Sequence, residues 1–254
     1  MKETFDLNEY IMHHMKDSHE WHLPFLPTIH LPEFLSLHGL MVILSALFLI
    51  LLFGVFTRKN QRVPRGLTNL LEVIVIFIRD QIVVAHIGEK DGRRMTPLFC
   101  TFFFFILTLN LMGLIPFFVT ATANINVTAA LALITLCFMI FGAVYKNGLR
   151  GFFKALTPSG VPVPLLILLV PLEFIGLFVK AFSLTIRLFA NMFAGHIVIF
   201  SLLGLVILLG FVALPSVLLA LFIYILEVLV AFLQAYIFTF LSAMFIGHIY
   251  HAEH

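Results

Sequence analysis

Apolar residues along this chain fall into long unbroken blocks separated by short clusters of charge. Residues 1–36 are polar and irregular, with Lys2, Glu3, Asp6, Glu9, Lys16, Asp17, Glu20 and Glu33 set among prolines, and they hold no apolar core of the kind a signal peptide needs. Leu37–Phe56 then carries no charge at all. About 20 apolar residues in a helix cross ~30 Å of hydrocarbon, so this block is the first predicted span. Arg58, Lys59, Arg62 and Arg65 follow it. Lysine and arginine collect in cytoplasmic loops, which leaves the N-terminal tail on the outer side.

Residues 67–86 behave differently, because Glu72, Arg79 and Asp80 interrupt the apolar pattern. The segment predicts an amphipathic helix lying in or near the cytoplasmic interface. GEKDGRR (88–94) is a further basic loop on that side. Residues 97–119 predict an outward crossing, the uncharged TATANIN (120–126) a turn, and 127–145 the return, met by Lys146, Arg150 and Lys154. The last third holds two blocks that are too long. Residues 163–196 as one helix measure ~50 Å, and 216–250 are similar, against ~30 Å of hydrocarbon. Either each helix breaks or both lie steeply tilted. Gly204, Gly210 and Pro215 supply the turn of a helical hairpin, and Pro171 is placed to kink or delimit its first arm.

This topology checks itself through its cations. Arg58, Lys59, Arg62, Arg65, Arg79, Lys90, Arg93, Arg94, Lys146, Arg150 and Lys154 fall on one predicted side, and only Lys2 and Lys16 on the other. Five crossings place the C-terminal HIYHAEH in the cytoplasm. The predicted fold is an all-α integral membrane protein: an extracytoplasmic tail (1–36) and one transmembrane domain (37–254), with about five crossings, an interfacial helix and a long tilted hairpin (about 163–250). Composition agrees. Charged residues are 11% of the chain and hydrophobic ones 61%, with a mean hydropathy of +1.10, whereas about 25% of a soluble domain is charged. The chain is therefore not a soluble globular domain. Cys100 and Cys137 sit within apolar runs and read as buried thiols rather than a disulfide framework.

Against that background Arg187 needs a reason. It interrupts FSLTIRLFANMFAGHIV (182–198), and a guanidinium near the centre of a membrane helix costs roughly 2.5–3.5 kcal/mol to insert. At 100° per residue, with Arg187 at zero, Glu173 lies at about +40°, Lys180 at about +20°, Ser183 at about −40° and Asn191 at about +40°, forming one stripe. His196 comes out near 180°, ~13 Å further along the axis. On the second arm Glu227 and Gln234 are seven apart and share a face, and His248 lies two heptads beyond. Arginine does not give up its proton at any working pH, so Arg187 serves only as a fixed charge. Glu173, His196 and Glu227 can titrate, and Asn191, Ser183 and Gln234 can hold water beside them. A fixed cation with titratable groups toward each face suits a proton pump or channel.

Blander readings exist. Arg187 and Lys180 could cancel Glu173 and Glu227 inside a packed bundle, and asparagine or glutamine in a span often only ties helices together. The cluster HHMKDSHEWH (13–22) lacks the HExxH spacing and lies in a turn-like tail, so no metal site is expected. The basic loops are expected only to set orientation, with no nucleic-acid partner.

IRLFANMFAGH (186–196), NLMGLIP (110–116), TANINVT (122–128) and AFLQAYIF (231–238), with YIMHH (10–14) and VPRG (63–66) nearer the start, together resemble subunit a of bacterial F-type ATP synthases over nearly the whole chain. The resemblance implies a stator subunit in the bacterial inner membrane, partnered by a c-subunit ring, the b-subunit peripheral stalk, the remainder of the synthase and the lipid bilayer. It implies that Arg187 faces the ring carboxylates, that His196, Glu227, Asn191 and Gln234 line the outer half-channel, and that Glu173, Lys180, Ser183 and His248 line the cytoplasmic one. Two positions depart from the best-known bacterial pattern: His196 and Glu227 stand exchanged, and Gly113 replaces an aspartate. No cofactor is implied, and with no GxxxxGK[ST] loop the chain performs no phosphoryl chemistry itself. A self-contained proton-coupled secondary transporter is the alternative; it predicts internal repeats or broken helices around a midplane site, and the sequence has no visible repeat.

Overall fold

The uncharged block Leu37–Phe56 is one α-helix, α1, with the limits its pattern predicts. The computed structural model describes residues 20–21, 29–32, 36–56, 66–115, 118–157 and 162–250. The basic loop holding Arg58, Lys59, Arg62 and Arg65 lies outside the described residues, as do His13, His14, His19 and His22 of the histidine cluster and residues 251–254. Apart from a two-residue antiparallel ladder, β1 (Glu20–Trp21) on β2 (Ile29–His30), the described structure is helical.

α2 (Leu67–Phe77) runs through a π-helical stretch (Ile78–Val84) into α3 (Ala85–Ile87). This is the predicted amphipathic segment. It buries Ile78, Ile82, Val83 and Ile87, and two of its three charges neutralise each other, because the Arg79 guanidinium donates to both Asp80 oxygens at 2.7 and 2.9 Å. That pair holds the Asp80 carboxyl below its ordinary range.

α4 (Glu89–Leu114) begins eight residues earlier than predicted. Residues 89–94 are its first turns rather than a loop. The break falls at Gly88, whose φ of 89° is open mainly to glycine, and Glu89 and Asp91 in the first turn complement the helix dipole. α4 also stops five residues early, where Pro116 disfavours helical backbone in the residue before it. A 3₁₀ turn (Ala121–Ala123) leads to α5 (Ile125–Cys137), a π-helical stretch (Phe138–Gly142) and α6 (Ala143–Ala155), bent at Gly148 with φ 71°.

α7 (Val163–Leu209) is an unbroken helix of 47 residues containing both Pro171 and Gly204. Neither delimits it, so the turn is narrower than predicted: Gly210–Ala213, opened by Gly210 at φ 60°. α8 (Leu214–Tyr250) has Pro215 in its first turn, where the missing N–H has no helical partner to lose. At ~70 Å, α7 fits a ~30 Å hydrocarbon layer only by tilting steeply or leaving it at one end. Among the described residues five helices are long and apolar enough to cross a membrane: Leu37–Val55, Glu89–Leu114, Ile125–Ala155, Pro164–Val206 and Leu214–Tyr250. The chain is a multi-pass membrane protein.

The helices gather into two compact units. The first comprises Met1–Ile50, Phe105–Ile125 and Leu188–Gln234. Its interior holds Met41, Ile106, Leu109, Leu188 and Met192, and Ser45 Oγ donates to Met112 Sδ at 3.1 Å. The second comprises Leu51–Phe104, Asn126–Arg187 and Ala235–His254. There the Phe102 ring meets Phe99 and Phe238 edge-on, with centroids 6.2 and 5.7 Å apart, and the Thr135 and Ser242 hydroxyls share a hydrogen bond of 3.1 Å. Ring packing and buried hydroxyl bonds are the means by which membrane helices associate, since lipid tails are as apolar as leucine. Cys100 and Cys137 are free thiols, half-buried rather than buried.

Candidate functional site

His196 and Glu227 meet in the first unit. α7 carries the imidazole and α8 the carboxylate, and Nδ1 lies 3.6 Å from Glu227 Oε1, with the side chains 13% and 7% exposed. Periodicity set His196 opposite the arginine stripe; Glu227 is what it faces there. Among the described residues neither oxygen of Glu227 has a hydrogen-bond donor. A buried carboxyl in that condition depends on the imidazole for any compensation of its charge.

The imidazole is held on every side. Nδ1 is 2.9 Å from the Met192 carbonyl one turn back along α7. Nε2 is 2.7 Å from Thr120 Oγ1 and 3.0 Å from the Gly113 carbonyl, and Thr120 Oγ1 also lies 3.1 Å from that carbonyl. Gly113 belongs to the last turn of α4, whose carbonyls have no helical donor. The residue that departs from the best-known bacterial pattern therefore offers His196 its backbone instead of an acid. A Cβ there would press on Thr120, 2.7 Å from its Oγ1.

Five residues here escaped the sequence reading as parts of the site. Gly195 leaves room for the acid: a Cβ there would strike Glu227 Oε1. Glycine within a helix costs about 1 kcal/mol relative to alanine, so a glycine beside a candidate carrier was a legible signal. Thr120 sat in a stretch read only as a turn. Asn110 and Thr122 are fully buried; the Thr122 hydroxyl donates to Asn110 Oδ1 at 2.8 Å, and Asn110 Nδ2 points to the Ala231 carbonyl at 3.5 Å. One turn before Glu227, Tyr224 donates to the Leu114 carbonyl at 2.8 Å. Asn191 is half-buried with its amide 3.8 Å from Met192 Sδ. Gln234 is buried, and its Nε2 has no acceptor among the described residues.

The second unit holds the rest. Lys180 Nζ pairs with Glu173 Oε1 at 3.1 Å, two turns apart on α7, and lies 5.9 Å from the Phe245 ring centroid. Ser183 and His248 are exposed. Arg187 is exposed too, and it makes no ion pair among the described residues. On another side of the same helix Ile175, Val179 and Phe182 are all more than half exposed. Of the four ions that could cancel in pairs, Lys180 and Glu173 do so. Glu173 takes Lys180, Glu227 takes His196, and the guanidinium is left open.

The ATP synthase A chain family matches residues 39–247. Over 213 residues the chain is 52% identical to ATP synthase subunit a of Anaeromyxobacter dehalogenans, covering 82% of this chain and 55% of that one. It is 48% identical over 260 residues to ATP synthase subunit a of Chloroherpeton thalassium, covering 96% and 77%. Against ATP synthase subunit a of Myxococcus xanthus the identity is 47% over 215 residues, covering 83% and 71%. The chain spans about half the length of the Anaeromyxobacter relatives. Five apolar helices, a hairpin of two long arms and a match over most of the sequence lead to one conclusion: the chain belongs to the ATP synthase A chain family.

Proposed function

We propose that this chain is the stator subunit a of a proton-translocating F-type ATP synthase in the bacterial inner membrane, with its N-terminus outside and its C-terminus in the cytoplasm. The observation that carries the proposal is the exposed guanidinium of Arg187, with no ion pair among the described residues, in a helix long and apolar enough to cross a membrane. A permanent cation in hydrocarbon with no counter-charge among the described residues of its own chain is costly. It is offset if a second polypeptide brings carboxylates to it, as a rotating c-ring does. Arg187 then keeps the arriving carboxyl ionised by Coulomb attraction and, being unable to release a proton, bars direct leakage between the two sides.

In this reading His196, Glu227, Asn191 and Gln234 form the outer half-channel, and Glu173, Lys180, Ser183 and His248 the cytoplasmic one. Each ring carboxyl is loaded from one and emptied into the other, so proton flow becomes rotation. A charge gains about 2.3 kcal/mol across 100 mV, so several steps must be combined for each ATP, and a stepping ring does that. The b-subunit stalk and the remainder of the synthase hold this chain still against the torque.

Arg187→Ala in the assembled complex tests the reading. ATP-driven proton pumping into membrane vesicles is expected to vanish while the complex still assembles; pumping at the normal rate in that variant overturns it.

A further inference from the structure

Two backbone carbonyls face the His196 ring, Met192 O at Nδ1 and Gly113 O at Nε2. Carbonyl oxygens only accept hydrogen bonds. A doubly protonated ring satisfies both of them. A neutral ring carries one proton, so one nitrogen must present a lone pair, and it needs a donor. Among the described residues the group in reach that can act as either donor or acceptor is the Thr120 hydroxyl, 2.7 Å from Nε2 and 3.1 Å from Gly113 O. Its hydrogen points to the Gly113 carbonyl when Nε2 carries a proton and to Nε2 when it does not.

We infer that Thr120 is a positioning residue whose hydroxyl turns with each proton that His196 takes up and gives back, so that both states of the imidazole are matched without moving a helix. This rests on His196 serving the outer half-channel. Uptake is the transfer of a proton from a hydronium ion of the outer water to Nε2, leaving water and an imidazolium; release to a base reverses it, and the hydroxyl rotates in step. Glu227 is the ionisable group that faces the ring from α8, with Tyr224 one turn away and tied to Leu114 O. Residues 105–125, which supply the opposite wall, contain no ionisable side chain. The hydroxyl is therefore the adjustable partner of Nε2.

The test is the dependence of proton flow through the whole synthase on the pH of the outer side, in vesicles. Thr120→Val keeps the shape and removes the hydroxyl. The neutral ring loses its donor while the charged ring keeps Gly113 O, so the histidine holds its proton to higher pH. The profile is expected to move about one pH unit toward alkaline, the equivalent of one hydrogen bond. Thr120→Ser restores the hydroxyl and is expected to restore the profile. If the valine variant fails to assemble, Thr120→Ala is measured on the same criterion. A profile that stays in place, whatever the rate, overturns the inference, and so does a serine variant displaced as far as valine. His196→Ala run alongside separates the two ideas. If it leaves flow unchanged, the channel reading fails; if it stops flow while Thr120→Val keeps the normal profile, only the role of Thr120 fails.

Discussion

Two polar sites sit on the same long helix and are finished in opposite ways. At His196 the chain supplies nearly everything itself: a carboxylate at 3.6 Å, two carbonyls, a hydroxyl, and a glycine that makes room. At Arg187 no ion pair forms among the described residues. The acid two heptads back is taken by Lys180, and the guanidinium stands exposed. The same contrast separates whole helices. In the most apolar stretch of α4, 61% of the residues are buried, whereas in the most apolar stretch of the hairpin's first arm 11% are. A buried titratable pair suits a fixed way-station, since its partners never leave. An unmatched cation suits a partner that comes and goes.

The comparison breaks most sharply if Arg187 is given an acid of its own. Ser183 is four residues before it, one turn away on the same stripe, and exposed. Ser183→Glu should tie up the guanidinium within the chain, as His196 is tied to Glu227, and the ring carboxyls would then meet a neutralised site. ATP-driven pumping should fall by about a hundredfold, equivalent to ~3 kcal/mol, because the attraction at ~4 Å in a medium of effective ε ~20 is of that order. Ser183→Gln, which adds bulk without charge, is the control. Pumping in the glutamate variant equal to that of the glutamine variant would show that the openness of Arg187 is incidental.

The buried site can be broken through the space it needs. Gly195→Val puts a branched side chain where Glu227 Oε1 lies. The carboxyl must swing away from His196, and overpacking of this kind costs about 1–3 kcal/mol. Proton flow should drop by about tenfold while the complex still assembles, and Gly195→Val combined with Glu227→Ala should be no worse than Glu227→Ala alone. If the two losses multiply instead, Gly195 matters for some reason other than the acid.

How far these sites could be read in advance differs with the distance over which each is built. α1 was legible to the residue, because an uncharged block flanked by charge has one reading. The stripe through Glu173, Lys180, Ser183 and Arg187 was legible because helical periodicity holds within one element. The far end of α7 was not: the apolar block was bounded at His196 and the turn placed from Gly204 to Pro215, but Gly204 alone does not stop a helix, which runs on to Leu209. Thr120 and Gly113 were hidden for another reason. They reach His196 from a different helix and the loop after it, 76 and 83 residues away, and no local pattern reports a contact of that range.

The mildest test sharpens the buried site without removing its chemistry. Exchanging the pair, His196→Glu with Glu227→His, keeps one acid and one imidazole in the same pocket. The imidazole at 227 can use the room left by Gly195. The carboxyl at 196 is less well served, because Met192 O and Gly113 O accept hydrogen bonds and cannot donate to it. It is matched by these groups only in its protonated form, with Thr120 as its donor when ionised. The double variant should therefore carry protons a few-fold more slowly than the native chain, a loss of about one hydrogen bond, yet faster than either His196→Ala or Glu227→Ala. Flow in the double exchange as low as in a chain lacking both groups would mean that the pair does not pass protons between its members, and that the geometry around each ring nitrogen, rather than the presence of an acid beside an imidazole, is what the pathway requires.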